Sequence, residues 1–513
     1  MNDEPVTEAT DESPTSDEIT PETAPVADTA NAQPDAGTRP YDVDYPEKLK
    51  EFMRTGWGSA SLEVSRRPEA DNHATRRAAL VAAFPGETLV IPTGREQVRA
   101  NDTLYRFRPG SDFAWLTGEH DPDSVLIIRP EGEATLFIRP RSPRDTDEFF
   151  RNAVYGELWI GRRHTLEEKA AELGVATANL KDLGETLAGL APGHTRVLRG
   201  FDRTVDAAVL PYDTDEVGRR DAELAQTLAE RRLVKDEWEI AQLQDAIDAT
   251  VRGFEDVARL IPADRPVPER FIEGIFNLRA RLEGNDLGYS SIVGAGSHAT
   301  ILHWIRNTGA TVPGQLLLMD MGVENHNLYT ADVTRTIPVN GRFSPAQKDV
   351  YDIVYAAQQA GIDTVAPGVR YEDVALACNR VLAEGLYELK LLPCTPEEAL
   401  DKQSMVYRRW TLHGFGHMLG LDVHDCSNAR KERYRDGELG ENYVLTVEPG
   451  LYFQTEDDLV PEELRGVGIR IEDDVLVTAS GRRNLSDGLP RTAEDVQTWL
   501  AAQREAGPRL PGQ

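Results

Sequence analysis

Two spacings of apolar residues alternate along the chain and divide it. Between residues 45 and 220 short apolar runs recur, ETLVIP at 87–92, DFAWLTG at 112–118, SVLIIRP at 124–130 and ATLFIRP at 134–140, with helical stretches between them. Runs of that length, bounded by Gly, Pro and charged residues, predict the strands of a mixed α/β domain. Asp236 and Glu239 then form a capping-box pattern, and Ile240, Leu243, Ile247, Val251 and Phe254 recur at helical spacing, which predicts a long amphipathic helix. Strand signals return at SSIVGAG, LLLMDMG, DVTRTIPV, YVLTVEPG and GIRIEDDVLVT. The expected class is α/β, of the α+β kind. One domain is expected over 45–225 and a second over 226–495, joined near the charged, apolar-poor stretch 213–232, with a carboxy-terminal extension at 496–513.

Composition adds the ends and narrows the partners. Residues 1–44 are rich in Asp, Glu, Thr, Pro and Ala and have Arg39 as their only basic residue, the signature of a disordered acidic tail. A formal net charge of -31 argues against nucleic acid or an anionic membrane as partner, because both would be repelled. Cys378, Cys394 and Cys426 form no CxxC pair, which argues against a disulfide framework or a thiolate zinc site and fits a reducing cytoplasm. The start, MNDEPVTEATDE, has neither a basic region nor an apolar core, and no apolar run approaches the roughly 18 residues of a membrane span. A cytoplasmic location is expected.

Ligand-type residues gather in the second half. Asp320 ends one apolar run and Asp332 opens the next, twelve positions on, and the GVENHNLYTA between them reads as the turn of an antiparallel hairpin. Half-buried carboxylates are costly without compensation, so two on neighbouring strands point to a shared cation. HGFGHMLGLDVHD, at 413–425, contributes His413, His417 and His424. Position 414 is Gly, so this is not the HExxH of a zinc-protease helix. Packed or surface histidines are the alternative. Glu448 in VLTVEPG and Glu472 in GIRIEDDVLVT interrupt apolar strand patterns, where a charge needs a partner. Arg470 stands two residues before Glu472, on the same strand face, and a simple surface Arg–Glu pair is the plainer reading of that strand. Taken together, Asp320, Asp332, His417, Glu448 and Glu472 give four carboxylates, one imidazole and no sulfur. That donor set suits two ions such as Mn²⁺, Co²⁺ or Fe²⁺ better than one structural Zn²⁺, and paired ions serve hydrolysis.

In this order the motifs resemble the dinuclear metallopeptidases of the pita-bread fold, over roughly residues 230–490. ILHW around His303, the histidine block, TVEPGLYF and RGVGIRIEDD are most similar to the aminopeptidase P group. The resemblance implies a pita-bread catalytic domain over 226–495, behind an amino-terminal domain of aminopeptidase P and prolidase type over 45–225. It implies a metal-dependent aminopeptidase acting on peptides with proline second, through attack by a metal-bridging hydroxide. Prolidase, which cleaves X–Pro dipeptides, is the alternative; a non-catalytic binding module would lack ligands that are all present here. By the same resemblance Asp332 and Glu472 bridge the ions, Asp320 holds one, and His417 with Glu448 holds the other. His303, His413, His424, Glu448 and Arg470 are the implied catalytic positions, with Glu448 as proton acceptor and His303 or His424 facing the oxyanion. Two divalent ions are implied, Mn²⁺ first and Co²⁺, Fe²⁺ or Zn²⁺ as alternatives, together with a homodimer or homotetramer. One departure stands out: the two aspartates lie one residue further apart than the family hairpin often has them. Were the extra residue to flip Asp332 to the other strand face, the site would be lost.

Overall fold

The helix anticipated from Asp236 forms over Glu237–Leu260. Asp236 accepts from Glu239 N at 2.9 Å and Glu239 from Asp236 N at 3.0 Å, so both halves of the capping box are made. Leu243, Ile247, Phe254 and Val257 on its apolar stripe are fully buried. The computed structural model describes residues 45–58, 61–209 and 215–510, so the acidic tail lies outside the described residues. Among the described residues no helix is long and apolar enough to cross a membrane.

The described chain divides into two compact units. The smaller comprises the described residues before 61 together with 100–102 and 141–163. In it Arg54 grips Asp147 at 2.6 Å and the Trp57 ring meets Phe149 edge-on at 4.9 Å.

The larger unit holds a five-stranded sheet in the order Ala176–Asn179, Ala134–Ile138, Val125–Ile128, Thr88–Pro92, Thr195–Val197. The apolar runs at 87–92, 124–130 and 134–140 are strands of this sheet. The run at 112–118 is not. Ser111–Thr117 is a helix with every residue buried, closed by Gly118 in the left-handed region at φ 69°. A run that is buried all round carries no period to separate helix from strand, so its apolar pattern suggests a strand where the chain forms a helix.

The carboxy-terminal sheets place the charged residues. Val333–Pro338, Leu316–Met321 and Ile292–Ala295 form one; Val444–Val447, Asp473–Thr478 and Gly481–Asn484 form another. Gly450–Tyr452 pairs with Gly468–Arg470. The single strand expected at GIRIEDDVLVT is therefore two, interrupted at Ile471 and Glu472. Opposite Ile471 stands Pro449, which accepts from Ile471 N at 3.5 Å but has no N–H to return, while Glu472 N donates to Thr334 O on another strand at 3.1 Å. Register runs on through the gap, Gly450 opposite Arg470 and Val447 opposite Asp473, so Glu448 and Glu472 face each other.

One apolar cluster joins Leu80, Phe113 and Leu126 to Leu243, Ile247, Tyr329 and Leu419, so the five-stranded sheet and the carboxy-terminal part share a core. Residues 215–232 of the expected connection are helical, in Asp215–Arg232. Residues 496–506, read as an extension, belong to helix Ala493–Ala506, whose Val496 and Leu500 are buried.

Candidate active site

The hairpin settles the question of strand face. Asp320 lies opposite Thr334 and Met321 opposite Val333. Asp332, two residues before Thr334, therefore shares the face of Asp320. The longer turn is absorbed locally: Asn325 Oδ1 accepts from Asn327 N at 3.0 Å and Tyr329 N at 3.1 Å, and Leu328 takes a positive φ of 70°. At Gly322 a Cβ would lie 1.8 Å from Ala331 O, so only glycine lets the two arms close.

The histidine block runs beside the strand that leads to Glu448. Thr446 N donates to His417 O at 2.8 Å, Glu448 N to Phe415 O at 2.7 Å, and His417 N to Thr446 Oγ1 at 3.1 Å. His417 Nδ1 faces its neighbour's carbonyl, Met418 O, at 3.2 Å, which aims Nε2 at the carboxylates. Nε2 stands 3.3 Å from Asp332 Oδ2 and 3.6 Å from Glu448 Oε1. Asp332, His417 and Glu472 offer ligand atoms all within 4.8 Å of one another.

A cavity of about 470 Å³ opens over this cluster. Asp320, Asp332, His417, Glu448 and Glu472 line it, and so do His303, His413, His424 and Arg470. Every candidate residue read from the sequence thus meets at one place. Arg470 is not in a surface pair with Glu472: it is buried, bonds Asp320 Oδ2 at 2.6 Å, and is braced by Tyr452 OH at 2.9 Å and Thr334 Oγ1 at 3.1 Å.

Comparison with known proteins places this constellation. The profile of metallopeptidase family M24 matches residues 241–479, and that of the aminopeptidase P N-terminal domain matches 73–198. Xaa-Pro aminopeptidase 1 of Streptomyces coelicolor is 50% identical over 494 residues, 95% of this chain and 99% of the relative. The chain belongs to metallopeptidase family M24, in the aminopeptidase P group. Xaa-Pro aminopeptidase of Escherichia coli is 32% identical across 84% of this chain and 97% of its own. The solved aminopeptidase PepP of Pseudomonas aeruginosa superposes with a TM-score of 0.76 at 31% identity, covering 86% of this chain and 99% of that one. Aminopeptidase P from E. coli with the inhibitor Pro-Leu gives 0.75 at 29%, covering 87% and 100%. As a member of this family the chain is a metal-dependent hydrolase.

Three side chains in this M24 site had no signal in the sequence. Tyr289 OH reaches Asp320 Oδ1 at 2.6 Å and Asp332 Oδ1 at 2.5 Å, Thr334 Oγ1 donates to Glu472 Oε2 at 2.6 Å, and Tyr452 OH meets His413 Nε2 at 2.8 Å. Only the register of the hairpin could have pointed to Thr334.

Burial and mutual repulsion govern the charges. Burial, then the charge of Asp320, pushes the Asp332 carboxyl above its usual range. Burial together with Asp332, Glu448 and Asp320 drives Glu472 far up. Burial also lifts Glu448 to about 7, although His417 and Arg470 pull the other way. Burial works against the charged His417 ring, but Asp332 and Glu448 outweigh it and hold it at about 9. His413 is depressed to about 3 by burial and then by Arg470. The cluster is short of positive charge, which bound cations would supply.

Proposed function

We propose that this cavity is the active site of an aminopeptidase that releases the first residue of peptides with proline second. What supports this is the meeting of Asp320, Asp332, His417, Glu448 and Glu472 with His303, His413, His424 and Arg470 at one cavity. The chain that folds around them is half identical, nearly end to end, to a Xaa-Pro aminopeptidase.

The residues present fit a pair of divalent ions. Ligand atoms of Asp332, His417 and Glu472 lie within 4.8 Å of one another, Asp320 and Glu448 line the same cavity, the carboxylates repel one another, and oxygen with one imidazole suits Mn²⁺ or a similar ion. Asp332 and Glu472 would be shared, Asp320 would serve one ion, and His417 with Glu448 the other. When bound, such ions supply the Lewis acidity that activates water and polarises the scissile carbonyl.

The side chains around them divide the remaining work. Glu448, beside His417 and His413, accepts the proton that the attacking water sheds. His303 and His424 line the cavity and offer hydrogen bonds to the developing oxyanion. Arg470 fixes Asp320. An X–Pro bond is a tertiary amide without N–H, so a site that grips that donor would gain nothing. Leu302, Ile305 and Val423 instead give the cavity an apolar wall for the ring. Protonation of the proline nitrogen then lets it leave.

The test compares an X-Pro-Y tripeptide with the dipeptide Gly-Pro on the same enzyme. Cleavage of the tripeptide with little turnover of the dipeptide is expected. Turnover of the dipeptide alone would make the enzyme a prolidase.

A further inference from the structure

The His424 ring is exposed, stands edge-on to His417 at 4.4 Å, and makes no side-chain hydrogen bond among the described residues. Its position must therefore come from its backbone. The segment that carries it is anchored on either side by the buried Leu421, Asp425 and Cys426, and Val423 packs against the same core as Leu421. Val423 and His424 line the catalytic cavity, while Asp422 and Cys426 line a second cavity of about 540 Å³. The segment is thus a partition between two cavities.

Hydrogen bonds hold it. Asp422 accepts from Ser111 Oγ at 2.5 Å and from Arg232 Nη2 at 2.7 Å. Asp425 accepts from the same Arg232 Nη2 and from Lys235 Nζ at 3.2 Å. Arg232 Nη1 reaches Asp112 Oδ1 at 2.7 Å, in helix Ser111–Thr117. Arg108 donates to Leu421 O at 2.6 Å and to Glu324 Oε2, in the turn between Asp320 and Asp332, at 2.5 Å. Gly420 leaves room for the grip, since a Cβ there would lie 2.2 Å from Asp425 Oδ2. Buried charges like these are weak sources of stability compared with apolar packing, but they fix direction at several points along a short segment.

We propose that Arg232, acting through Asp422 and Asp425 and anchored on Asp112, is the positioning residue for His424. The amino-terminal part of the chain then shapes the catalytic step without touching substrate. This rests on His424 acting in catalysis, as stated above.

A double-mutant cycle between Asp422 and His424 tests it. Asp422→Ala cuts the grip at a partly exposed site and should lower kcat by roughly tenfold, with KM changed by less than about twofold. In a His424→Ala background the same substitution should cost less than about twofold, because the ring it positions is gone. Asp422→Asn, which keeps an acceptor, should recover most of kcat. Should Asp422→Ala melt too early to assay, Asp112→Asn enters the same cycle with the same expected sign. If His424→Ala alone leaves turnover intact, the role given to His424 fails. If His424→Ala is impaired but Asp422→Ala costs as much in both backgrounds, or nothing in either, the positioning proposal is overturned.

Discussion

Buried charge makes individual residues of this site respond to pH and to metal in a definite direction. Glu448 is lifted to about 7 when folded, so the folded form holds its proton more tightly than the unfolded chain does. The stability this gives is present at low pH and is lost as pH rises through about 7. His417, held at about 9, contributes stability present below its ordinary range and lost as pH rises through about 9. Both act in one sense, so metal-free protein should melt at progressively lower temperature from about pH 6 to about pH 9. Bound cations want ionised carboxylates and a neutral imidazole, so the rise in melting temperature on adding Mn²⁺ should grow over the same range. Thermal melts with and without Mn²⁺ measure both, and a metal-induced rise that shrinks with pH would contradict the assignment. Glu472 and His424 should part company. Glu472→Gln removes a charge from the centre and should weaken metal retention, with activity not restored by saturating Mn²⁺. His424→Ala should keep its ions while turnover falls roughly 10²-fold. Metal content of the two purified variants decides; the reverse pattern would mean that the histidine block supplies a missing ligand.

The elements that carry these residues depend on close approaches of backbone. Gly322→Ala would drive a Cβ into Ala331 O, forcing the hairpin arms apart and moving Asp332. It should lose both activity and bound metal. Gly274→Ala, exposed within helix Glu269–Glu283 with nothing within 4 Å, should keep both and gain up to about 1 kcal/mol in a denaturant titration. Equal losses in the two variants would show that the hairpin is not special. Much of this level was legible in the sequence. The capping box at Asp236, the strands around Asp320, Asp332 and Glu448, and the hairpin between the aspartates all announce themselves through local pattern. What was not legible depends on remote partners. The buried helix at Ser111–Thr117 carries no period. The gap at Glu472 is set by Pro449 on the facing strand and by Thr334 on another sheet. Tyr289 sits in an unremarkable GYSS and acquires its role only when Asp320 and Asp332 arrive beside it. The partner of Arg470 proved to be Asp320, far away in the chain, because a sequence shows which charges need partners and not which partners they find.

At the scale of the molecule, removing the acidic residues 1–44, which are poor in apolar residues and hold none of the candidate ligands, should leave turnover within about twofold. A roughly tenfold loss in a well-folded truncated protein would give the tail a part in the site or in assembly. Hydrolysis of X–Pro peptides in this M24 cavity with two divalent ions is decided by titrating metal-free protein with Mn²⁺ and reading bound ions per chain and X-Pro-Y hydrolysis on the same samples. Activity should climb to a plateau as occupancy reaches about two ions per chain and disappear again on chelation. Full activity at one ion per chain, or in protein stripped of metal, would rule out a two-ion hydrolase.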